Sequence, residues 1–588
     1  MQGYKTYRHH FRRLFGELEE VVLQHIFETG APIALKAGEY LFREGQRQRT
    51  FYIVVSGRLR AVRQVDGQPR ILGDIGEGEP VGEFALFTEE PRMADVLAIR
   101  ESAVLAFSYE DYEALIARQP ALATAMANFV IKRLRRNTFE QHKSSPPRNI
   151  ALLQLSESRH LGQFIAEVEE AMGPLQVPIR VWAAGSLDGR AGLGQLEAEP
   201  GLNILVCRPD EEAWAQQCIL YADLIVCAAD FAGEAALTPT ERAFRLYEQG
   251  VLHKPVYLLL LHGSGTVRPA NTRRWLKPRK VDLHIHARPG DGRDIRRFCR
   301  IISHRAVGLV LGGGGAKGYA HQGVAEALFE SGIEVDFLGG TSAGAVHGMA
   351  LSHTDFDFQK MKAISAESAK SKLTSNDFAL PMVSMMTGRK VKGFIQRVFG
   401  DAHVEDLWVN SYCVSTNFSK ARPEIHEQGL LWKQVQASIA IPGIFPPVVI
   451  NQYLHVDGAV MDNVPIEPMY RYPVGHIIAV SLSGLSERKA NYEEPPSSWR
   501  ILWDKTRGRR KIKIPGLASL IINSLMLNSL QRQEQNKSKA SLYLELDLKG
   551  IGFLDDRKWQ EIRERGYQQT KAYLKALSGE ARFWEQAG

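Results

Sequence analysis

Five segments of this chain are almost unbroken apolar runs: NIALLQLS from 149, LNILVCR from 202, ADLIVCAA from 222, KPVYLLLLH from 254 and VGLVL from 307. A strand with one wet face alternates apolar and polar residues. A strand apolar at nearly every position is covered on both faces, as in a parallel sheet sandwiched by helices. Stretches with helical spacing, HLGQFIAEVEEAM and PTERAFRLYEQG, lie between the runs. The pattern predicts two α/β units, one over 149–300 and one over 301–588 with its core at about 305–470.

Residues 31–108 obey a different rule. APIALKAGEYLFREG, TFYIVVSGRLRAVRQVDGQ, RILGDIGEGEPVG and ADVLAIRESAVLAFS are short, partly alternating and separated by glycine turns. That predicts a small antiparallel barrel or jelly roll. The helical YEDYEALIARQPALATAMANFVIKRLRR follows, then HKSSPPRN at 142–149, whose prolines and serines suit a linker. The first domain is therefore expected over 1–141. A chain of 588 residues holds two to four domains at about 100–200 residues each.

The net charge of +7 is small for this length, compatible with an anionic surface but not diagnostic of one. Five cysteines, an odd number with no metal spacing, predict buried thiols in a reducing compartment. No window is apolar enough to span a membrane and no signal peptide is visible, so a cytoplasmic or peripherally membrane-bound protein is expected.

The run VGLVL stops at GGGGAKG, residues 312–318. Taken alone, Gly313-Gly314-Gly315-Ala316-Lys317-Gly318 fits a dinucleotide fingerprint, with Asp336 where a ribose-binding acid would stand. The next strand favours another reading. IEVDFLGGTSAGAVHGMA places Ser342 in a G-x-S-x-G turn between strand and helix, where a serine hydroxyl stands above the sheet as a nucleophile. Backbone amides of Gly313, Gly314 and Gly315 then supply an oxyanion hole, with Lys317 and Gly318 beside it. The base is sought among six later histidines and the carboxylates. His476 lies in an apolar strand, whereas Asp457 ends a short strand in YLHVDGAVMDNVP and is followed by glycine. In a dry pocket its pKa rises and it accepts the serine proton directly. Asp462 and His455 are weaker neighbours of the same kind.

GGGGAKG, GTSAG, ASIAIPGIFPPV and DGAVMDNVP, in this order over roughly 301–470, resemble the landmarks of patatin-like phospholipases. The resemblance implies an α/β/α sandwich and a serine–aspartate dyad without histidine. It places the nucleophile at Ser342, the base at Asp457 and the oxyanion hole at the glycine loop. YADLIVCAA, RRWLKPRKVDLHIHARP and DIRRFCRIISHRAVGLVLGGGG resemble the segment preceding the catalytic domain in the neuropathy target esterase-like branch, whose members are serine esterases of phospholipids and lysophospholipids. The implied substrate is a phospholipid or lysophospholipid, with no cofactor or metal required and no nucleic acid as partner.

VGEFALFTEEPRMADVLA at 81–98 resembles the phosphate cassette of cyclic-nucleotide-binding domains. By that resemblance Gly82 and Glu83 open the helix, Glu83 meets the ribose 2′-hydroxyl and Arg92 the phosphate. Met93 favours cAMP over cGMP, while the Asp95 carboxylate would repel a phosphate. The basic run Lys505 to Lys513 and the apolar stretch after it, to about 530, suit a membrane face or a buried core helix. Two rival readings stay open: a catalytically inactive, cyclic-nucleotide-responsive binding protein and a dinucleotide oxidoreductase.

Overall fold

The computed structural model describes residues 4–15, 18–127 (except 66, 85–87, 89 and 125), 146–186 (except 176), 196, 201–373, 377–482, 494, 497, 524, 527, 529, 531–553, 555–577 and 582–584. The chain divides into two compact units. One runs to Ala306 and includes Tyr470–Gly475; the other comprises Val307–Met469 and His476–Arg582. The expected boundary between 300 and 301 thus falls six residues before the one observed.

After the helices Tyr4–Phe15 and Glu20–Thr29, the described residues of the first unit form eight strands: β1 (Ala31–Leu35), β2 (Tyr40–Phe42), β3 (Thr50–Ser56), β4 (Leu59–Val65), β5 (Gln68–Ile75), β6 (Pro80–Val81), β7 (Asp95–Ala98) and β8 (Ser102–Ser108). They form two four-stranded sheets, β1-β8-β3-β6 and β2-β7-β4-β5, with antiparallel pairing throughout. This is the jelly roll that the alternating pattern predicted. Phe42, Tyr52, Val54, Leu59, Val96 and Val104 fill the space between the sheets.

The same unit contains β9 (Asn149–Gln154), β10 (Ile179–Trp182), β11 (Leu202–Cys207), β12 (Leu224–Asp230), β13 (Val256–Leu261) and β14 (Leu283–Ala287). They make one parallel sheet in the order β10-β11-β9-β12-β13-β14. β13 is buried at every position, as its unbroken apolar run demands. A buried ion cluster ties this sheet to the jelly roll. Arg100 Nε donates to Asp223 Oδ1 at 2.9 Å, and Arg58 stands 3.6 Å from the same oxygen. The amides of Arg148 and Asn149 donate to Oδ2 at 2.8 and 3.1 Å.

The second unit is built on a mixed sheet: β15 (Ala306–Leu311), β16 (Phe337–Thr341), β17 (Asn410–Asn417), β18 (Arg422–His426), β19 (Val448–Ile450), β20 (Tyr453–Asp457), β21 (Val474–Ser481) and β22 (Leu542–Glu545). The order is β19-β20-β17-β16-β15-β21-β22, with β18 also paired to β17. β15, β16 and β17 run parallel, while β18 and β20 are antiparallel to β17. Asp457 on β20 lies opposite Ser415, just beyond the point where β16 ends at Thr341. The topology therefore brings residues 342 and 457 to one edge of the sheet. The segment 505–523 lies outside the described residues, and so does most of the apolar stretch after it. Among the described residues no helix is long and apolar enough to cross a membrane.

Candidate active site at the edge of the mixed sheet

β16 leads directly into the helix Ala343–His353, and Ser342 is the residue between them. Its backbone is held at φ 53° and ψ −119°, a region that costs a residue with a side chain about 1–3 kcal/mol. The turn is tight because the helix starts almost against β15. A Cβ on Gly344 would stand 2.0 Å from the Leu311 carbonyl oxygen, so only glycine fits there. The first helical bond runs from the Val346 amide to the Ser342 carbonyl at 3.1 Å. The amides of the helix's opening turn have no partner inside the helix and point toward the site.

Ser342 Oγ donates to Asp457 Oδ2 at 2.7 Å, across 115 positions of sequence. Asp457 Oδ1 accepts the Ala459 amide at 2.8 Å, and the Asp457 amide is bound by the Ala440 carbonyl at 2.9 Å. The carboxylate is buried with no cation beside it among the described residues, and that burial pushes its pKa up to about 7; the two hydrogen bonds only partly offset it. Near neutral pH it therefore holds and releases a proton, which an exposed aspartate does not.

Sequence reasoning gave Ser438 no role. Its hydroxyl accepts the Ser342 amide at 2.9 Å and donates to the Val414 carbonyl at 2.6 Å. It thereby pins the strained turn to β17. Only its place inside ASIAIPGIFPPV marked it. His321 was likewise unassigned. One ring nitrogen meets the Gly312 carbonyl at 2.8 Å, and burial lowers its pKa to about 4, so it steadies the glycine loop as a neutral ring.

The glycine loop passes beside the serine, but its three amides are not equivalent. Gly313 already donates its N–H to the Asn463 carbonyl at 3.1 Å, which corrects its expected place among the oxyanion donors. Its contribution is the missing side chain, since a Cβ there would sit 3.1 Å from Ser342 Cβ. Among the described residues Gly314 and Gly315 have no backbone acceptor for their amides. Lys317 is half-buried on the turn Gly315–Tyr319, and Gly318 packs against Ala343 and His347.

The weaker candidates are held elsewhere. His455 Nδ1 meets Ser415 Oγ at 2.8 Å, and that hydroxyl also meets His426 Nε2 at 2.7 Å. Asp462 is buried with a pKa raised to about 6, and its carbonyl accepts Thr341 Oγ1 at 3.0 Å. Among the described residues no histidine is bonded to Ser342.

In the jelly roll, Glu83 and Arg92 are both buried. Arg92 stacks over Phe42 at 4.2 Å and donates to the carbonyls of Gly82 at 3.0 Å and Thr50 at 2.5 Å. Its Nε is buried with no hydrogen-bond partner among the described residues. Asp95 accepts the Glu44 amide at 2.7 Å, so its carboxylate is already engaged. Most of the expected cassette helix lies at 85–87, outside the described residues.

Residues 309–470 match the family model for patatin-like phospholipase, 32–119 that for the cyclic nucleotide-binding domain, and 188–303 that for the neuropathy target esterase family P-loop like domain. In this series of domain matches the chain is similar to the neuropathy target esterase-like branch of the patatin-like phospholipases. Among similar curated proteins is "Lysophospholipase NTE1" of Coccidioides immitis, 28% identical over 97% of this chain and 42% of that protein. "Patatin-like phospholipase domain-containing protein 7" of Rattus norvegicus is 27% identical over 92% of this chain and 45% of its own length. "Neuropathy target esterase sws" of Drosophila melanogaster is 26% identical over 93% and 42%. The chain thus spans less than half the length of these curated relatives. Among solved structures, the Thermus thermophilus catabolite activator protein matches at 28% identity with a TM-score of 0.21, covering 28% of this chain and 69% of that one.

Proposed function

We propose that this protein is a serine esterase acting on acyl esters of phospholipids, lysophospholipids above all. The observation that carries the reading is the 2.7 Å hydrogen bond from Ser342 to a buried carboxylate whose pKa sits near neutrality. The patatin-like match and the relatives named as lysophospholipases support it. Asp457 takes the proton as Ser342 Oγ attacks the ester carbonyl carbon. The oxyanion forms against the amides of Gly314 and Gly315 and the start of the helix Ala343–His353. As the C–O bond of the ester breaks, the protonated aspartate returns the proton to the leaving alcohol. A water molecule, deprotonated by the same carboxylate, then releases the fatty acid and restores Ser342.

The test is hydrolysis of a lysophospholipid panel by the wild type, Ser342→Ala and Asp457→Asn, with fluorophosphonate labelling of the serine. Turnover and labelling that persist in Ser342→Ala would overturn the reading.

The jelly roll carries a second proposal, a cyclic nucleotide as regulator. The Nε of Arg92, buried and with no hydrogen-bond partner among the described residues, supports it, because a buried donor of that kind suits a phosphate oxygen. Calorimetric titration with cAMP is expected to give saturable heat that Arg92→Ala abolishes. The absence of heat with the wild type ends the proposal.

A further inference from the structure

Residues 378–388 read FALPMVSMMTG, eleven positions without an ionisable group. Phe378, Leu380 and Met382 are 77%, 80% and 83% exposed, and Val383 and Met385 are exposed beside them. Soluble surfaces scatter single apolar residues; five in eight positions form a patch.

The segment is not loose chain that happens to be apolar. Phe378 and Met386 are bridged, and the Ala379 amide donates to the Met385 carbonyl at 3.0 Å. The Thr387 amide closes the base of the finger on the Asp377 carbonyl at 2.8 Å. Its far side is fastened to the segment before β19. The amides of Met385 and Met386 both donate at 2.9 Å, to the carbonyls of Gly443 and Ile444. That segment leaves Ala440, whose carbonyl holds the Asp457 amide. The backbone is thus satisfied and positioned close in sequence to the dyad's own support, while the apolar side chains are turned outward.

A second apolar point stands past the same sheet edge. β17 continues three residues beyond the level of Thr341, and Phe418, at its end, is 67% exposed. The Phe418 amide donates at 2.8 Å to the carbonyl of Leu454, itself exposed.

Charge decides what the finger fits. Exposed Arg389 and Lys390 follow it directly, and exposed Lys370 and Lys372 precede it. Aliphatic, thioether and aromatic side chains at a tip, flanked by cations, match acyl chains beneath anionic headgroups. A partner protein would be expected to meet a broader face with a polar rim.

We infer that the finger 378–388 is an interfacial anchor that inserts into a phospholipid surface and sets the Ser342–Asp457 edge against it. The inference rests on the lipid-ester reading for its purpose, but its measurement does not. The full chain is floated with vesicles of phosphatidylcholine containing about 30% phosphatidylserine. Replacing Leu380, Met382 and Val383 together by Ser is expected to lower partition about tenfold or more. Hydrolysis of lysophospholipid held in those vesicles should fall in parallel, while turnover of a water-soluble short-chain ester stays unchanged. Separately, Met382→Trp should shift its emission to the blue on vesicles and be quenched by brominated acyl chains.

Equal partition of wild type and triple variant overturns the anchor, as does a tryptophan at 382 whose emission vesicles leave unmoved. If instead the triple variant changes only from dimer to monomer in sedimentation, the patch joins two copies and the anchor is wrong. If partition falls but the wild type cleaves no soluble ester, the anchor stands and the hydrolase reading fails.

Discussion

Asp223, under the middle sheet, and Asp457, at the edge of the mixed sheet, are both buried aspartates, and the protein treats them in opposite ways. Around Asp457 desolvation is the largest influence and no cation among the described residues answers it, so its pKa climbs to about 7. Desolvation is also the largest influence on Asp223, but Arg100, Arg58 and two backbone amides together outweigh it and hold the pKa at about 2. The same side chain thus becomes a permanent anion that joins two sheets, or a group poised to exchange a proton. Burial alone does not distinguish them; the number of donors and cations around the carboxylate does.

The largest expected effect would break the comparison at its catalytic end. Asp457→Asn keeps the shape but cannot accept a proton, and kcat should fall by about 10³–10⁴, with Ser342→Ala losing at least as much. Steady-state hydrolysis of a soluble ester measures this, and a loss below tenfold for either variant would contradict the dyad.

Asp223→Ala should leave soluble-ester turnover per folded molecule unchanged. It removes the carboxylate shared by buried Arg58 and Arg100, leaving Arg100 its pairing with Glu77, and should cost about 3–5 kcal/mol of stability in denaturant titration.

The two carboxylates should also respond to pH with opposite signs. Asp223 binds its proton more weakly folded than unfolded. Its stabilisation is present above its ordinary value of 3.8 and is lost as pH falls through about 2. Asp457 binds its proton more tightly folded. Its contribution is full below its ordinary 3.8 and is lost as pH rises through about 7. Activity needs the ionised form, so kcat/KM should rise with pH to a plateau above about 7. Asp457→Asn should therefore gain stability relative to wild type as pH rises through this window, by about 1.4 kcal/mol per unit at most. Thermal melts from pH 4 to pH 8, compared between the two proteins, read this out.

The smallest effect sharpens the picture of the turn. Ser438→Ala removes the acceptor for the Ser342 amide and should cost about 1–2 kcal/mol in stability or transition-state energy. Ser438→Thr should restore part of it, since it keeps the hydroxyl that also reaches Val414.

Much of the molecule was legible before any coordinates, because some signals are local. Unbroken apolar runs pointed to sheets covered on both faces, and the alternating front segment pointed to a small antiparallel barrel or jelly roll. Gly344 announced a close approach that only the strand-to-helix turn explains. The roles of Ser438 and His321 were not legible, because a serine in an apolar segment or a histidine in a helix has no local signature. Each acts through one long-range hydrogen bond. The demotion of Gly313 as a donor is of the same kind, since Asn463, which occupies its amide, is 150 positions away.

The sequence by itself determined the strand and helix types, the order of the jelly roll and the two α/β sheets along the chain, and the pair of residues worth testing. Backbone sterics and hydrophobic period act over neighbours, and those are written along the chain. Tertiary structure alone decided which amide of the glycine loop is taken up by Asn463, which aspartate is neutralised by arginines and which is left dry. It also decided that an apolar finger would be tied by its backbone yet keep its side chains uncovered. Electrostatics and solvent access depend on what surrounds a group in space, and the chain order does not say what that will be.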